Sequence, residues 1–153
     1  MDLIFIFGAK YLFVASVLIA GIYFLRQPWA TKRKMVIFGI IAMVAIYVVA
    51  LIAGHVYYNA RPFVVDHTTP LIPHAPDNGF PSDHVLLVSA IAAIMYVFHR
   101  RISWGLWILA ILVAISRVYV GVHHPIDVIG SMIISIAVTY LLYKNYHPVR
   151  KQM

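Results

Sequence analysis

No cysteine occurs in this chain, which excludes disulfides, iron–sulfur clusters and thiolate catalysis. Charge is scarce as well: 11% of the 153 residues are Asp, Glu, Lys or Arg, where a soluble domain carries about 25%. With 63% of residues hydrophobic and a mean hydropathy of +0.88, the chain reads as an integral membrane protein. Its 12 basic residues against 5 acidic ones would raise nucleic acid as a partner in a soluble protein, but their placement, described next, argues against one. Without cysteine, histidine must carry nucleophilic or acid–base work near neutral pH.

Five apolar stretches follow one another, roughly Leu3 to Leu25, Met35 to Tyr58, Val85 to Phe98, Ile102 to Ile115 and Val128 to Tyr143, and each is expected to be a helix. Crossing a hydrocarbon core of ~30 Å takes about 20 residues, so the third and fourth must borrow flanking residues such as His84, His99 and Ser116. A signal peptide is the alternative for the first stretch, but its basic cluster follows the apolar run and no small-residue cleavage site comes after it, so it reads as a span. The segment from Asn59 to Asp83 holds Pro62, Pro70, Pro73, Pro76 and Pro81, too many for a continuous helix, and is expected to be a loop outside the membrane. No soluble domain, repeat or low-complexity tract interrupts residues 1–153, which form one membrane domain.

Lys and Arg collect on the cytoplasmic side of membrane proteins, and here they alternate. Arg26, Lys32, Arg33 and Lys34 lie between the first two spans, Arg100 and Arg101 between the third and fourth, and Lys144, Arg150 and Lys151 after the fifth. The other side holds Arg61 and Arg117, with Lys10 inside the first span, together with Asp2, Asp66, Asp77, Asp83 and Asp127. The expected architecture is therefore an all-α polytopic transmembrane bundle of about five spans, N-terminus outside and C-terminus cytoplasmic.

Three short segments fall on the outer face: Arg61-Pro62, Pro81-Ser82-Asp83-His84, and Ser116-Arg117 followed by His123 and Asp127. Arginine presents a planar fork of donors suited to phosphate oxygens, and two arginines can neutralise and orient a phosphoryl group. Ser82 precedes the third span, where it can cap the helix while the first-turn N–H groups face an anion. His123 and Asp127 are four apart, so a helix starting near Pro125 sets the carboxylate beside the imidazole, where it fixes tautomer and orientation and makes a competent nucleophile. His84 then takes the complementary role of protonating the leaving oxygen.

Taken together, Arg61-Pro62, Pro81-Ser82-x-His84 and Ser116-Arg117 with His123 and Asp127 resemble the three-part signature of the type 2 phosphatidic acid phosphatase superfamily. More narrowly, the stretch from Arg61-Pro62-Phe63 through Leu71-Ile72-Pro73-His74 to Phe80-Pro81-Ser82-Asp83-His84 is similar to the bacitracin-resistance branch, the undecaprenyl-diphosphatases. The resemblance covers roughly residues 35 to 143 and implies a helical bundle, a reaction without metal or other cofactor, and a phosphohistidine intermediate. By matching position it implies His123 as nucleophile, Asp127 as its orienting carboxylate, His84 as general acid, and Arg61, Ser82 and Arg117 as holders of the phosphoryl oxygens. Two positions depart from the family pattern. Gly54 stands where a lysine is usual, leaving a phosphate-binding cation absent or supplied by His55, His74 or Lys10. Asp83 replaces the glycine between the motif serine and histidine, its backbone N–H still counted among the phosphate donors. Many relatives also have six spans rather than five.

The function this implies is hydrolysis of a polyprenyl or glycerolipid phosphate, foremost undecaprenyl diphosphate, at the extracytoplasmic face of the cell membrane. Phosphatidic acid, phosphatidylglycerophosphate and lipid A phosphates are the competing substrates. A histidine-rich metal-binding protein, built on His67, His74, His84, His123 and His124, is a competitor of another class, because imidazole suits zinc or copper. An inactive scaffold is a third, motivated by Gly54 and Asp83. Lys10 reads as a snorkelling residue, His67 as a surface histidine and His124 as structural or headgroup-facing, while His74 stays open between surface and site.

Overall fold

Each apolar stretch folds as a helix, and most helices run past the ends of the apolar run. The structure, a computed structural model, describes residues 2–146 and comprises α1 (Asp2–Leu25), α2 (Trp29–Val56), α3 (Pro62–Val65), α4 (Asp83–Phe98), α5 (Arg100–Tyr119) and α6 (Pro125–Asn145). Arg150 and Lys151, counted above among the cytoplasmic charges, lie outside the described residues. α2 starts at Trp29 rather than Met35, because Lys32, Arg33 and Lys34 are good helix formers that extend the apolar segment by its charged end. It stops at Val56, where Tyr57 turns extended, so Tyr57 and Tyr58 belong to the loop. Inside the proline-rich loop Pro62 begins the four-residue α3, occupying the first helical position where a missing N–H costs nothing.

α1, α2, α5 and α6 are long and apolar enough to cross a membrane. α4, with 16 residues and therefore about 24 Å long, is shorter than the hydrocarbon core. Its position explains how it tolerates that length: it is the central helix, packed against α1, α2, α5 and α6, and Val85, Val88, Ala92 and Met95 on it are buried.

Burial follows the logic of lipid rather than of water. The residues α1 buries are Gly8, Ala9 and Ser16, while Leu3, Leu18 and Leu25 face outward. With no hydrophobic force pressing helices together in lipid, close backbone approach and interhelical hydrogen bonds do the joining. A Cβ on Gly8 would collide with the Ser116 hydroxyl of α5. Between α4 and α6 a ladder of hydroxyls runs down the interface: Ser89 and Ser135 share a hydrogen bond of 2.8 Å, and Ser131 donates to the Ser82 carbonyl at 3.0 Å.

The five long elements alternate in direction. Phe5, Ile6, Ile72, Val120 and Val122 cluster at one end, and Phe38, Val97, Leu142 and Tyr146 at the other. The N-termini of α1, α4 and α6 and the loops over residues 57–82 and 120–124 share the first end. Arg26, Lys32, Arg33, Lys34, Arg100, Arg101 and Lys144 belong to segments at the opposite end.

Gly130 on α6 lets the loop reach this end, because a Cβ there would run into the Phe80 ring, itself wedged edge-on against Tyr57 at 5.0 Å. Gly130→Val is expected to overpack this contact, destabilising by about 1–3 kcal/mol and lowering the Tm in a detergent thermal scan. An unchanged Tm would show that Phe80 moves aside freely.

Candidate active site

The loop over residues 57–82 closes on itself through one asparagine. Asn78 Oδ1 accepts from the Asn59 N–H at 2.9 Å and the Phe80 N–H at 3.0 Å, while Nδ2 donates to the Gly54 carbonyl at 2.8 Å. The Gly79 N–H donates to the Asn59 carbonyl at 2.8 Å, laying Asn59–Arg61 beside Asn78–Phe80. Gly54 lies under this closure: a Cβ there would come within 2.9 Å of the Phe80 carbonyl oxygen. The space a longer side chain at position 54 would need is filled by the loop.

Arg61 is buried and held through all three of its guanidinium nitrogens. Its Nε donates to Asp77 at 2.7 Å, Nη1 to the Val122 carbonyl at 2.8 Å, and Nη2 to the Asn78 carbonyl at 3.3 Å. Although the partial burial of Asp77 works in the other direction, the Arg61 bond holds its carboxyl below the usual carboxylate range. The guanidinium is thereby fixed with Nη1 at 3.3 Å from His123 Nε2.

His123 Nδ1 lies 2.9 Å from the Gly79 carbonyl oxygen, and since a carbonyl only accepts, the proton sits on Nδ1. Nε2 therefore carries the lone pair, and it faces Arg61 Nη1 at 3.3 Å and Arg117 Nη2 at 3.4 Å. Burial holds the imidazole below its ordinary pKa; the bond to Asp127 opposes the shift, and the Arg117 and Arg61 charges add to it. The group is neutral near pH 7, as a nitrogen nucleophile must be.

Asp127 is buried completely, in the first turn of α6. It does lie beside the imidazole, with Oδ2 at 3.5 Å from His123 Nδ1, but the direct bond that selects the tautomer goes to Gly79. The carboxylate is itself held by the Asn59 amide at 2.7 Å and the His124 N–H at 2.8 Å. A Cβ on Gly79 would come within 2.9 Å of Asp127 Oδ2, so glycine here lets the carbonyl and the carboxylate reach the same ring nitrogen.

Arg117, in the last turn of α5, and Ser82 are both buried, and Arg117 Nε and Ser82 Oγ have no hydrogen-bond partner within the protein. Ser82 does precede α4, but its hydroxyl does not cap the helix; its carbonyl accepts from Leu86 N–H and Ser131 Oγ, and its N–H donates to the Asp127 carbonyl. Buried donors of this kind are stable only with a partner, and phosphoryl oxygens fit both. His84, half-buried, stands edge-on to Phe13 of α1 at 5.3 Å, with the Arg117 and Asp83 charges and the His123 ring as its neighbours. Asp83 opens α4 with its side chain exposed, at the rim of an apolar groove of about 270 Å³ between α2 and α4 lined by Met43, Ile46, Tyr47, Leu86, Leu87 and Ala90. A carboxylate there is in the field of Arg117 and leaves only the first-turn N–H groups to serve an anion.

Of the three stand-ins considered for position 54, His55 and Lys10 are exposed on α2 and α1, whereas the His74 ring stands 6.1 Å from that of His123. His124 caps α6 and reaches the Ala60 carbonyl at 3.1 Å, a structural role. His67 is exposed in left-handed backbone, φ 52°. Among the described residues no three His, Asp or Glu side chains converge as a metal-binding group. Sequence reasoning passed over Asn59, Asp77, Asn78 and Gly79; the Asn78-Gly79 pair, a turn signal beside the motif, and Asn59 two residues before Arg61 were the available cues.

Residues 34–151 match the PAP2 superfamily. The chain is 37% identical over 144 residues to the undecaprenyl-diphosphatase BcrC of Bacillus subtilis, covering 94% of this chain and 74% of that protein. It is 34% identical over 131 residues to the bacitracin transport permease protein BcrC of Bacillus licheniformis, covering 85% of this chain and 64% of that one. The fold resembles the crystal structure of Aquifex aeolicus LpxE, with a TM-score of 0.73 over 95% of this chain and 86% of that chain at 23% identity. A helical bundle whose end gathers Arg61, Ser82, His84, Arg117, His123 and Asp127, in a chain matched over most of its length, belongs to the PAP2 superfamily.

Proposed function

We propose that this protein hydrolyses undecaprenyl diphosphate to undecaprenyl phosphate and inorganic phosphate, at the extracytoplasmic face of the membrane. The observation that carries the chemistry is the neutral His123, its Nδ1–H on the Gly79 carbonyl and its Nε2 lone pair between two guanidinium groups. The name of the Bacillus subtilis relative supplies the substrate, and the apolar groove below Asp83 offers its chain a berth. The basic residues at the end of the bundle opposite the site support an outward-facing site.

The terminal phosphoryl group enters beside His123 Nε2, its oxygens exchanging that nitrogen's two long contacts for Arg61 and Arg117 and supplying Ser82 Oγ with a partner. Nε2 attacks phosphorus in line; the bond from phosphorus to the bridging oxygen breaks, and His84 protonates that oxygen as undecaprenyl phosphate leaves. Water then attacks the phosphohistidine, gives a proton to His84, and releases phosphate while Nε2 regains its lone pair. Asp127 and the Gly79 carbonyl stabilise the positive charge that develops on the ring during attack. The guanidinium groups need no rearrangement as charge spreads over the equatorial oxygens, and this preorganised electrostatic contribution is the largest. No metal or cofactor takes part.

Detergent-purified protein is expected to release phosphate from undecaprenyl diphosphate with a chelator present, and His123→Ala to release none. Equal inactivity of both on this substrate, phosphatidic acid and phosphatidylglycerophosphate would refute the assignment. His84→Ala should slow lipid turnover by roughly 10²–10⁴-fold, and the loss should be larger for phosphatidic acid, whose alkoxide leaving group needs the proton most, than for p-nitrophenyl phosphate. The acid limb of kcat/KM, where His123 takes up a proton, should fall below the ordinary imidazole value of about 6.5. Leu87→Trp, filling the α2–α4 groove, is expected to raise KM for the long-chain substrate and leave p-nitrophenyl phosphate unaffected; equal effects on both would place the lipid elsewhere.

A further inference from the structure

We propose that His74 is a third phosphoryl-holding side chain of this site, donating to the same phosphoryl group that Arg61 and Arg117 hold and gaining a proton as the anion binds. The inference rests on the phosphatase reading above and adds a residue which that mechanism leaves idle.

The segment carrying His74 is built as a strut. Leu71 N–H donates to the Val120 carbonyl at 3.0 Å, and Ile72 is buried against Ala9, Val120 and Val122. Pro70, Pro73 and Pro76 restrict the backbone on either side, and Asp77, three residues on, is bonded to Arg61 at 2.7 Å. Anchored before and after, the imidazole stands half-buried, 6.1 Å from the His123 ring and inclined to it by 72°. That is too far for the two rings to bond. A phosphoryl group in attack position sits about 3–3.5 Å from the nucleophile, so the ring is placed to wall that position.

The groups facing His74 are Arg61, Arg117, His84 and His123, against Asp77 on its own segment. The two imidazoles are neutral near pH 7, and the two guanidinium charges outweigh the one carboxylate. Burial first, then the Arg61 charge, lowers its pKa, with the Ala75 carbonyl opposing the shift. An incoming phosphate reverses this balance: it brings negative charge and acceptor oxygens to the face where His74 meets the Arg61 and Arg117 charges. Loop packing over Gly54 leaves that position unable to supply a cation, and this loop histidine brings a conditional one instead.

The test is isothermal titration of inorganic phosphate into purified wild type, His74→Ala and His74→Lys, beside their phosphate release from undecaprenyl diphosphate and p-nitrophenyl phosphate. His74→Ala should bind phosphate about 10- to 100-fold more weakly near pH 5.5, the loss expected for a charge-assisted hydrogen bond, with the gap narrowing toward pH 8. The lysine variant should restore affinity and keep it at the higher pH, and the loss in kcat/KM should be equal for both substrates. Wild-type phosphate affinity in His74→Ala at every pH would overturn the proposal, as would a folded lysine variant no better than alanine. Wild type that hydrolyses lipid but binds phosphate independently of His74 refutes this inference alone. His74-dependent phosphate binding without lipid hydrolysis refutes the assigned function and leaves the inference standing.

Discussion

A single carboxylate, buried where four segments meet, holds the site together. Asp127 accepts from the Asn59 amide after α2 and from the His124 N–H before α6, and lies beside the His123 ring; its own carbonyl takes the Ser82 N–H that begins α4. Burying an ionised carboxylate is costly unless its lone pairs are occupied, so these partners are obligatory rather than incidental. Satisfying Asp127 fixes where the loop, the histidine and two helix N-termini must stand. In the mechanism proposed above the same group steadies the charge that develops on His123, so a structural requirement and a chemical one would fall on one residue.

The remaining electrostatics follow from that arrangement. Two guanidinium groups converge on the lone pair of a neutral imidazole; Asp127 lies on the ring's far side, Asp77 is bound to the far edge of Arg61, and the exposed Asp83 is in the field of Arg117. Arg61 makes its three other bonds to Asp77, Val122 and Asn78, so its orientation does not depend on ligand, whereas Arg117 Nε and Ser82 Oγ have no partner within the protein. One cation is placed in advance by the fold, and the other is left with hydrogen-bonding capacity to spend on a phosphoryl oxygen.

The helices were legible because lipid imposes a composition: five apolar runs could only be helices, and the alternation of Lys and Arg distinguishes the two ends of the bundle. Boundaries slipped where charge and helix coexist, as at Lys32–Lys34 in α2, since periodicity and hydropathy report what a helix faces and not where its backbone stops. The motif residues Arg61, His84, Arg117, His123 and Asp127 were legible because their chemistry is unusual in a membrane chain. Gly79 was not, because it acts through a carbonyl oxygen that every residue possesses, and only its lack of a side chain distinguishes it. Ser82 was misjudged as a cap for a related reason: its neighbourhood in sequence suits capping, but the Asp127 carbonyl takes its N–H and leaves the hydroxyl otherwise disposed.

How the short α4 fits the bundle follows from what surrounds it. α4 is shorter than the hydrocarbon core yet is enclosed by four other helices, so its length answers to packing rather than to lipid. The loop over residues 57–82 is pinned at the N-terminal end of α4 by buried Ile72, by the Asn78 bond to Gly54 and by the Phe80 ring over Gly130. The recess so formed is walled by loop and helix ends, the parts of a bundle whose backbone groups lack intrahelical partners. The Val122, Asn78 and Gly79 carbonyls bind Arg61 and His123, while the first-turn N–H groups of α4 have no intrahelical partner and are the donors an anion could use.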